Sequence, residues 1–276
     1  MELTKPRRAM EYFAGLFDAE GWISLCKDGH FTIGTEMANE EIPLLFQEKF
    51  GGKIYERKRK KRKKTWSWLI STNREPAINF LNQISQYSII KQPQLLLLKN
   101  YLEDSQLGRR ENRDQISHQI SVLKNPPLFT KSELDVPTNT IPTNEFWKWL
   151  AGFLDGDGNL CVYEYQGQRS KIFDSWIGFF NSHAQALLYI KRRLNGSITS
   201  VKGCKHPVWR IVLCQKDSEF ACESLMPYLI VKKEQCRLLI EFLNIKKTKI
   251  REQSYSFDQV NQIREIINQI KHLNSL

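Results

Sequence analysis

Two stretches of nine residues hold the chemistry-bearing side chains of this chain: FAGLFDAEG at 13–21 and LAGFLDGDG at 150–158. Each ends an apolar run of helical spacing with two acids, two residues apart, and then a glycine. Glycine inside a helix costs about 1 kcal/mol relative to alanine, and an acid at a helix C-terminus meets the negative end of the macrodipole. Gly15 with Ala19, and Gly152 with Gly156, each stand four apart on one helical face. Small residues at that spacing let two helix backbones approach, so the two stretches are expected to pack together and bring Glu20 beside Asp157. Two adjacent carboxylates repel, and a shared divalent cation resolves the conflict. Hard oxygen donors suit Mg²⁺, with Mn²⁺ or Ca²⁺ as substitutes in binding. Carboxylate-held metal on a basic protein points to phosphodiester chemistry. Asp18 and Asp155, two positions earlier, project elsewhere on the helix and are expected to serve as hydrogen-bonding groups of the structure.

The two stretches belong to a longer duplication. FGGKI (50–54) matches LNGSI (194–198), Trp66 matches Trp209, SIIKQPQLLLLKNYL (88–102) matches LIVKKEQCRLLIEFL (229–243), and DQISHQI (114–120) matches DQVNQIREI (258–266). The matches run in the same order in both copies. Between them lies a proline-rich stretch without continuous period, which reads as a linker. The expected division is therefore 1–124 for the first half, 125–143 for the linker and 144–276 for the second half. Each half reads as helix, hairpin, helix, hairpin, then helices, which makes an α+β fold with antiparallel sheets. The motif helices are expected to end on glycine C-caps at Gly21 and Gly158.

The formal net charge of +11 and pI near 9.3 suit an acidic partner. The basic excess is shared almost evenly by the two halves, unlike that of a basic tail. The six cysteines form no C-x-x-C pair and no zinc spacing, so reduced thiols in an intracellular protein are expected. No apolar run reaches the roughly 18–20 residues of a membrane span, and no secretory signal opens the chain.

On FAGLFDAEG and LAGFLDGDG the chain resembles the LAGLIDADG homing endonucleases in their single-chain, two-motif form. The resemblance implies an αββαββα core in each half, the halves packed through their motif helices, and a DNA-binding saddle of two four-stranded antiparallel sheets. It implies a nuclease that cuts both strands of double-stranded DNA across the minor groove and leaves short 3′ overhangs; a monomer is expected, and a freestanding or intron-encoded origin fits better than an intein. By the same resemblance the last acid of each motif, Glu20 or Asp157, is a metal ligand, with the preceding carbonyls of Ala19 and Gly156 as further ligands. An active-site lysine begins a late helix, which falls on Lys91 in the first half and Lys232 in the second. Lys233 neighbours the latter, but its counterpart is Gln92, so the symmetric choice is Lys232. Family members also include RNA maturases that assist intron splicing, so intron RNA and a non-cutting DNA-binding role stand as alternatives. A nickase follows if the longer Glu20 cripples one site. An organelle and a microbial cytoplasm are both compatible homes.

The expected DNA surface follows from strand alternation. Ile23, Leu25, Leu160 and Val162 point to the helices, which leaves Ser24, Cys26, Asn159, Cys161, Tyr163 and Tyr165 on the DNA side, with Asp174 and Trp176 on the partner strand. Eight consecutive basic residues, Arg57, Lys58, Arg59, Lys60, Lys61, Arg62, Lys63 and Lys64, sit at the tip of an expected hairpin. Such a run alone is more often an import signal or a tail, but on a hairpin it can follow phosphates and enter the major groove. The second half offers Lys202, Lys205 and Arg210 at the matching place.

Overall fold

A computed structural model describes residues 9–58, 63–104, 110–125, 129, 131–168, 171–204, 207–248 and 255–275. The first copy runs α1 (Met10–Glu20), β1 (Gly21–Leu25), β2 (Phe31–Met37), α2 (Glu41–Phe50), β3 (Lys53–Arg57), β4 (Thr65–Ser71), α3 (Arg74–Ile84), α4 (Gln92–Glu103) and α5 (Arg110–Val122). After a short α6 (Lys131–Leu134), the second copy runs α7 (Asn144–Asp157), β5 (Gly158–Gln166), β6 (Lys171–Asn181), α8 (Ala184–Lys191), β7 (Ser197–Ser200), β8 (Trp209–Cys214), α9 (Gln215–Leu225), α10 (Lys233–Thr248) and α11 (Phe257–Ser275). The fold is α+β with two antiparallel four-stranded sheets, ordered β1-β2-β4-β3 and β5-β6-β8-β7. Among the described residues no helix is long and apolar enough to cross a membrane.

The chain forms two compact units, and the boundary between them cuts through α7. Unit one is Met1–Leu128 with Lys148–Gly156, and unit two is Phe129–Trp147 with Asp157–Leu276. The middle of the second motif helix joins unit one because it packs backbone to backbone on α1. A Cβ on Gly15 would lie 1.9 Å from the Trp149 carbonyl oxygen, and one on Gly152 would lie 2.0 Å from the Tyr12 carbonyl oxygen. Tyr12 and Trp149 are themselves equivalent positions of the repeat, so the contact is reciprocal. An aromatic cluster of Phe13, Phe17, Phe46, Phe50, Trp68 and Phe80 is buried alongside aliphatic residues such as Ile23, Ile33 and Leu81. Trp68 meets Phe46 at 4.9 Å and Phe80 at 5.4 Å between ring centroids, and its indole N–H donates to the Gly51 carbonyl at 2.7 Å. Truncating such a residue to alanine costs about 3–5 kcal/mol.

In unit two, Leu160, Val162, Phe173, Ile177, Phe179, Ile211 and Leu213 are buried. These positions alternate along β5, β6 and β8, as a sheet with one covered face requires. Segment 131–143 is more structured than a plain linker. Besides α6, the Thr138 hydroxyl donates to the Lys191 carbonyl at 2.9 Å, and the Asn139 and Thr140 N–H groups donate to the Arg192 carbonyl. Those carbonyls lie at the end of α8, where a helix leaves its last acceptors without partners.

Gly21 corrects the expected left-handed glycine cap. Its φ of −79° and ψ of 155° are extended, so α1 passes directly into β1. Glycine stands there because a Cβ would lie 2.4 Å from the Phe17 ring. His183 precedes α8 in extended conformation. All six cysteines are free.

Candidate active site and nucleic-acid interface

The residue before each motif's last acid is small for a visible reason: a Cβ on Gly156 would lie 2.5 Å from the Ala19 Cβ. The carbonyl-bearing residues Ala19 and Gly156 are thus brought together within unit one. The earlier acids act as structural acceptors. Asp18 is buried and receives Ser88 Oγ at 2.5 Å, Ile89 N at 2.6 Å, Lys91 N at 3.1 Å and Trp149 Nε1 at 3.0 Å. Asp155, also buried, receives the Tyr12 hydroxyl at 2.7 Å. Tyr12→Asp155 and Trp149→Asp18 are the same bond made twice, once in each direction across the helix pair. A buried carboxylate tolerates its charge only with such partners. The signal available from sequence was an aromatic residue with a polar handle six positions before each acid.

Lys91 lies at the start of α4, as expected, and its ammonium reaches the end of α1. Its Nζ donates to the Phe17 carbonyl at 2.9 Å and to the Asp18 carbonyl at 2.5 Å. A cation there is favoured by the helix dipole, and it adds a second donor to the Phe17 carbonyl, which already accepts the Gly21 N–H. Lys91 therefore fixes the turn that carries Glu20, the half-buried last residue of α1. Lys232 occupies the matching place, immediately before α10.

Asp157 ends α7, and one of its carboxylate oxygens receives Asn181 Nδ2 at 2.7 Å. Asn181 is a residue that the repeat could not reveal. Strand register pairs Gly21 with Thr35 and Gly158 with Phe179, so the counterpart of Asn181 is Met37. A neutral amide that orients a carboxylate is what a metal-holding acid needs from its surroundings. The donor types at Glu20 and Asp157, carboxylate and backbone carbonyl, fit a hard divalent cation such as Mg²⁺. Among the described residues no cluster of three or more His, Cys, Asp or Glu side chains competes as a metal centre.

The expected DNA-facing residues lie on the less buried face of each sheet. Ser24, Asn159, Cys161, Tyr163 and Trp176 are half-buried, and Cys26 and Tyr165 are exposed. Tyr163 and Tyr165 stack on each other, Trp176 meets Phe180 edge-on, and burial pushes the Cys161 thiol up. Asp174 is held by Lys246 Nζ at 2.8 Å. Lys63, Lys202 and Arg210 are exposed, and Arg210 Nε donates to Thr199 Oγ1 at 3.1 Å. Arg59, Lys60, Lys61, Arg62 and Lys205 lie outside the described residues.

The base of the basic hairpin carries its own counter-charges. Arg57 pairs with Glu36 at 3.4 Å, while Lys58 and Lys64 both pair with Glu56 at 3.0 Å. Lys64 also lies over the Trp66 ring, 4.0 Å from its centroid. The two lysines, Lys64 first, hold the Glu56 carboxyl below its ordinary range. Exposed pairs of this kind are easily exchanged. Glu56→Gln is therefore expected to raise affinity for random-sequence duplex and to steepen its log K against log salt slope by about 1–2, measured by fluorescence anisotropy. An unchanged slope would mean that neither lysine reaches a phosphate.

No sequence-family model matches the chain. Among solved structures it is similar to I-SmaMI bound to an uncleaved DNA target in the presence of calcium ions, with 17% identity, 96% of this chain and 99% of that one covered, and a TM-score of 0.65. The LAGLIDADG homing endonuclease I-LtrWI bound to target DNA matches with 17% identity over 94% of this chain and 96% of that one, with a TM-score of 0.67. The LAGLIDADG meganuclease I-AabMI bound to uncleaved DNA matches with 15% identity over 94% and 98%, with a TM-score of 0.68. A duplicated motif helix packed glycine to backbone on its partner, and a four-stranded sheet following each copy, give this chain the fold of the single-chain LAGLIDADG homing endonucleases.

Proposed function

We propose that this chain is a site-specific DNA endonuclease that hydrolyses one phosphodiester on each strand of a double-stranded target. The observation that carries the reading is the presence of a carboxylate, Glu20 or Asp157, at the end of each motif helix, in a fold shared along nearly the whole chain with DNA-bound homing endonucleases.

Glu20 and Asp157, with the carbonyls of Ala19 and Gly156, are the groups that would hold a divalent metal, Mg²⁺ in function and Mn²⁺ or Ca²⁺ in binding. Such an ion lowers the pKa of water and offsets charge on the phosphate. The protein's own groups do the positioning. The Asn181 amide sets the rotation of the Asp157 carboxylate, and Lys91 and Asp18 hold the last turn of α1. Lys91 and Lys232 stabilise negative charge developing on the scissile phosphates. The half-buried faces of β1, β2, β5 and β6 read base edges, and the β3–β4 hairpin and the Lys202 turn grip the backbone. The protein acts as a monomer, since one chain carries both acids, and cleavage across the minor groove leaves short 3′ overhangs.

Incubating the protein with a randomised duplex library in Mg²⁺ and sequencing the new ends tests this reading. Ends confined to one sequence class support it. Binding without cutting, whatever the divalent ion, overturns it in favour of a non-cutting DNA-binding protein, or of a maturase if splicing of an intron RNA is rescued.

A further inference from the structure

Unit two carries a second feature, at the outer end of the β5–β6 hairpin. There β5 and α11 enclose a cleft of about 620 Å³, within the size range of small-ligand sites. One wall is the stacked pair Tyr163 and Tyr165, with ring centroids 5.8 Å apart and planes 28° from parallel. Tyr165 is 44% exposed. The other wall is one face of α11, with Arg264, Asn268 and Lys271 at helical spacing.

The walls are tied to each other. Arg264 makes a two-pronged contact with Glu164, at 3.1 and 3.2 Å, and Lys171 adds a third at 2.6 Å. Asn274 Nδ2 donates to the Leu160 carbonyl at 2.9 Å further along the strand. Glu164 is thereby saturated, and Arg264 first, then Lys171, holds its carboxyl at about 2. Lys271 is exposed and makes no ion pair among the described residues. In the first copy the positions of Tyr163 and Tyr165 are taken by Cys26 and Asp28, which lie in the short exposed turn after β1 and carry no aromatic ring.

A flat aromatic pair beside an uncommitted ammonium and an amide matches the chemistry of one nucleotide, with stacking for the base and charge for the phosphate. A duplex keeps its base faces covered and cannot use the exposed tyrosine ring. We propose that this cleft holds one unpaired nucleotide of a nucleic-acid strand, its base continuing the Tyr163–Tyr165 stack and its phosphate against Lys271 and Asn268. Tyr165 stands eight residues beyond Asp157 on an extended strand, about 26 Å away, so the cleft is distinct from the acid. The inference requires a nucleic-acid partner but not cleavage.

The full-length protein in EDTA, where cutting is not supported, is titrated with short oligodeoxythymidine and oligouridine strands that each carry one 2-aminopurine, and with a blunt duplex. Tyr165→Ala is expected to weaken single-strand binding about tenfold and abolish the 2-aminopurine quench, and Lys271→Ala to weaken it about threefold; because Tyr165 also lies on the DNA-facing side of β5, duplex binding falls too, but by a clearly smaller factor than single-strand binding. Tyr165→Phe keeps the ring and should bind as the wild type does. The two strand types show whether DNA or RNA is the source of the nucleotide. No change in Tyr165→Ala, or an equal loss on the blunt duplex, overturns the inference and leaves the endonuclease reading untouched. Failure of cleavage with the single-strand preference intact does the reverse.

Discussion

Asp157→Asn and Glu20→Gln proteins are expected to bind the target duplex in Ca²⁺ nearly as the wild type does, and to cleave it in Mg²⁺ at least about 10³-fold more slowly. Each substitution keeps side-chain volume and removes one negative charge and one hard oxygen donor. At position 157 the effect is sharpened by the Asn181 amide, which already donates to one carboxylate oxygen. An asparagine there must turn its own oxygen toward Asn181 and present an NH₂ group where a metal needs an acceptor. Asn181→Ala leaves the acid in place but frees its rotation, so a smaller loss of about 10–100-fold is expected, with a higher Mg²⁺ requirement. Met37, at the equivalent place, provides no such amide to the first copy. Single-turnover cleavage against metal concentration reads both effects. Rates within about tenfold of wild type in both acid variants would remove Glu20 and Asp157 from the chemistry.

The second large effect is on stability. Gly15→Ala and Gly152→Ala are each expected to destabilise the protein by about 3 kcal/mol, lowering Tm by roughly 6–12 °C. Alanine gains about 1 kcal/mol over glycine in helix propensity, so on intrinsic grounds both changes should stabilise. The contact decides the sign. The added methyl would lie 1.9 or 2.0 Å from a backbone oxygen, and backbone cannot rotate away as a side chain can. Separating the helices by even a fraction of an ångström also lengthens Tyr12–Asp155 and Trp149–Asp18, and so strands buried carboxylates. Gly51→Ala is the informative comparison. A Cβ there meets nothing within 4 Å, and only its backbone, at φ 71° and ψ −150° in a region essentially confined to glycine, opposes the change, at about 1–3 kcal/mol. Scanning calorimetry of the three variants ranks clash against backbone strain. If Gly15→Ala were as stable as wild type, the helix contact would not be as close as described.

What was legible in the sequence is what a duplication writes twice. The small-residue face Gly15/Ala19 and Gly152/Gly156, the closing acids and the order of helices and hairpins recur with similar spacing, so each copy checked the other. Asn181 escaped for the same reason, since its counterpart is Met37 and a search for symmetric chemistry passes over it. The pairing of Tyr12 with Asp155 and of Trp149 with Asp18 spans more than 130 residues, and no local pattern sets it. Gly21 shows a right residue with the wrong reason. A glycine after a helix suggests a left-handed cap, but here the Phe17 ring takes the space of a Cβ while the backbone stays extended. Charge runs mislead in another way: within the basic run Arg57 is paired with Glu36 and both Lys58 and Lys64 with Glu56, contacts that a count of charges does not show. The docking of 138–140 on the end of α8 depends on carbonyls that only a folded helix presents.

The central claim is that two motif acids on one chain cut two strands. Mapping both strands of one recovered target after wild-type digestion in Mg²⁺, beside a metal-free digest, tests it most directly. One cut on each strand at a fixed stagger leaving short 3′ overhangs, and none without metal, is the predicted result. A nick confined to one strand, blunt or 5′-extended ends, or cutting that persists without a divalent ion would contradict it.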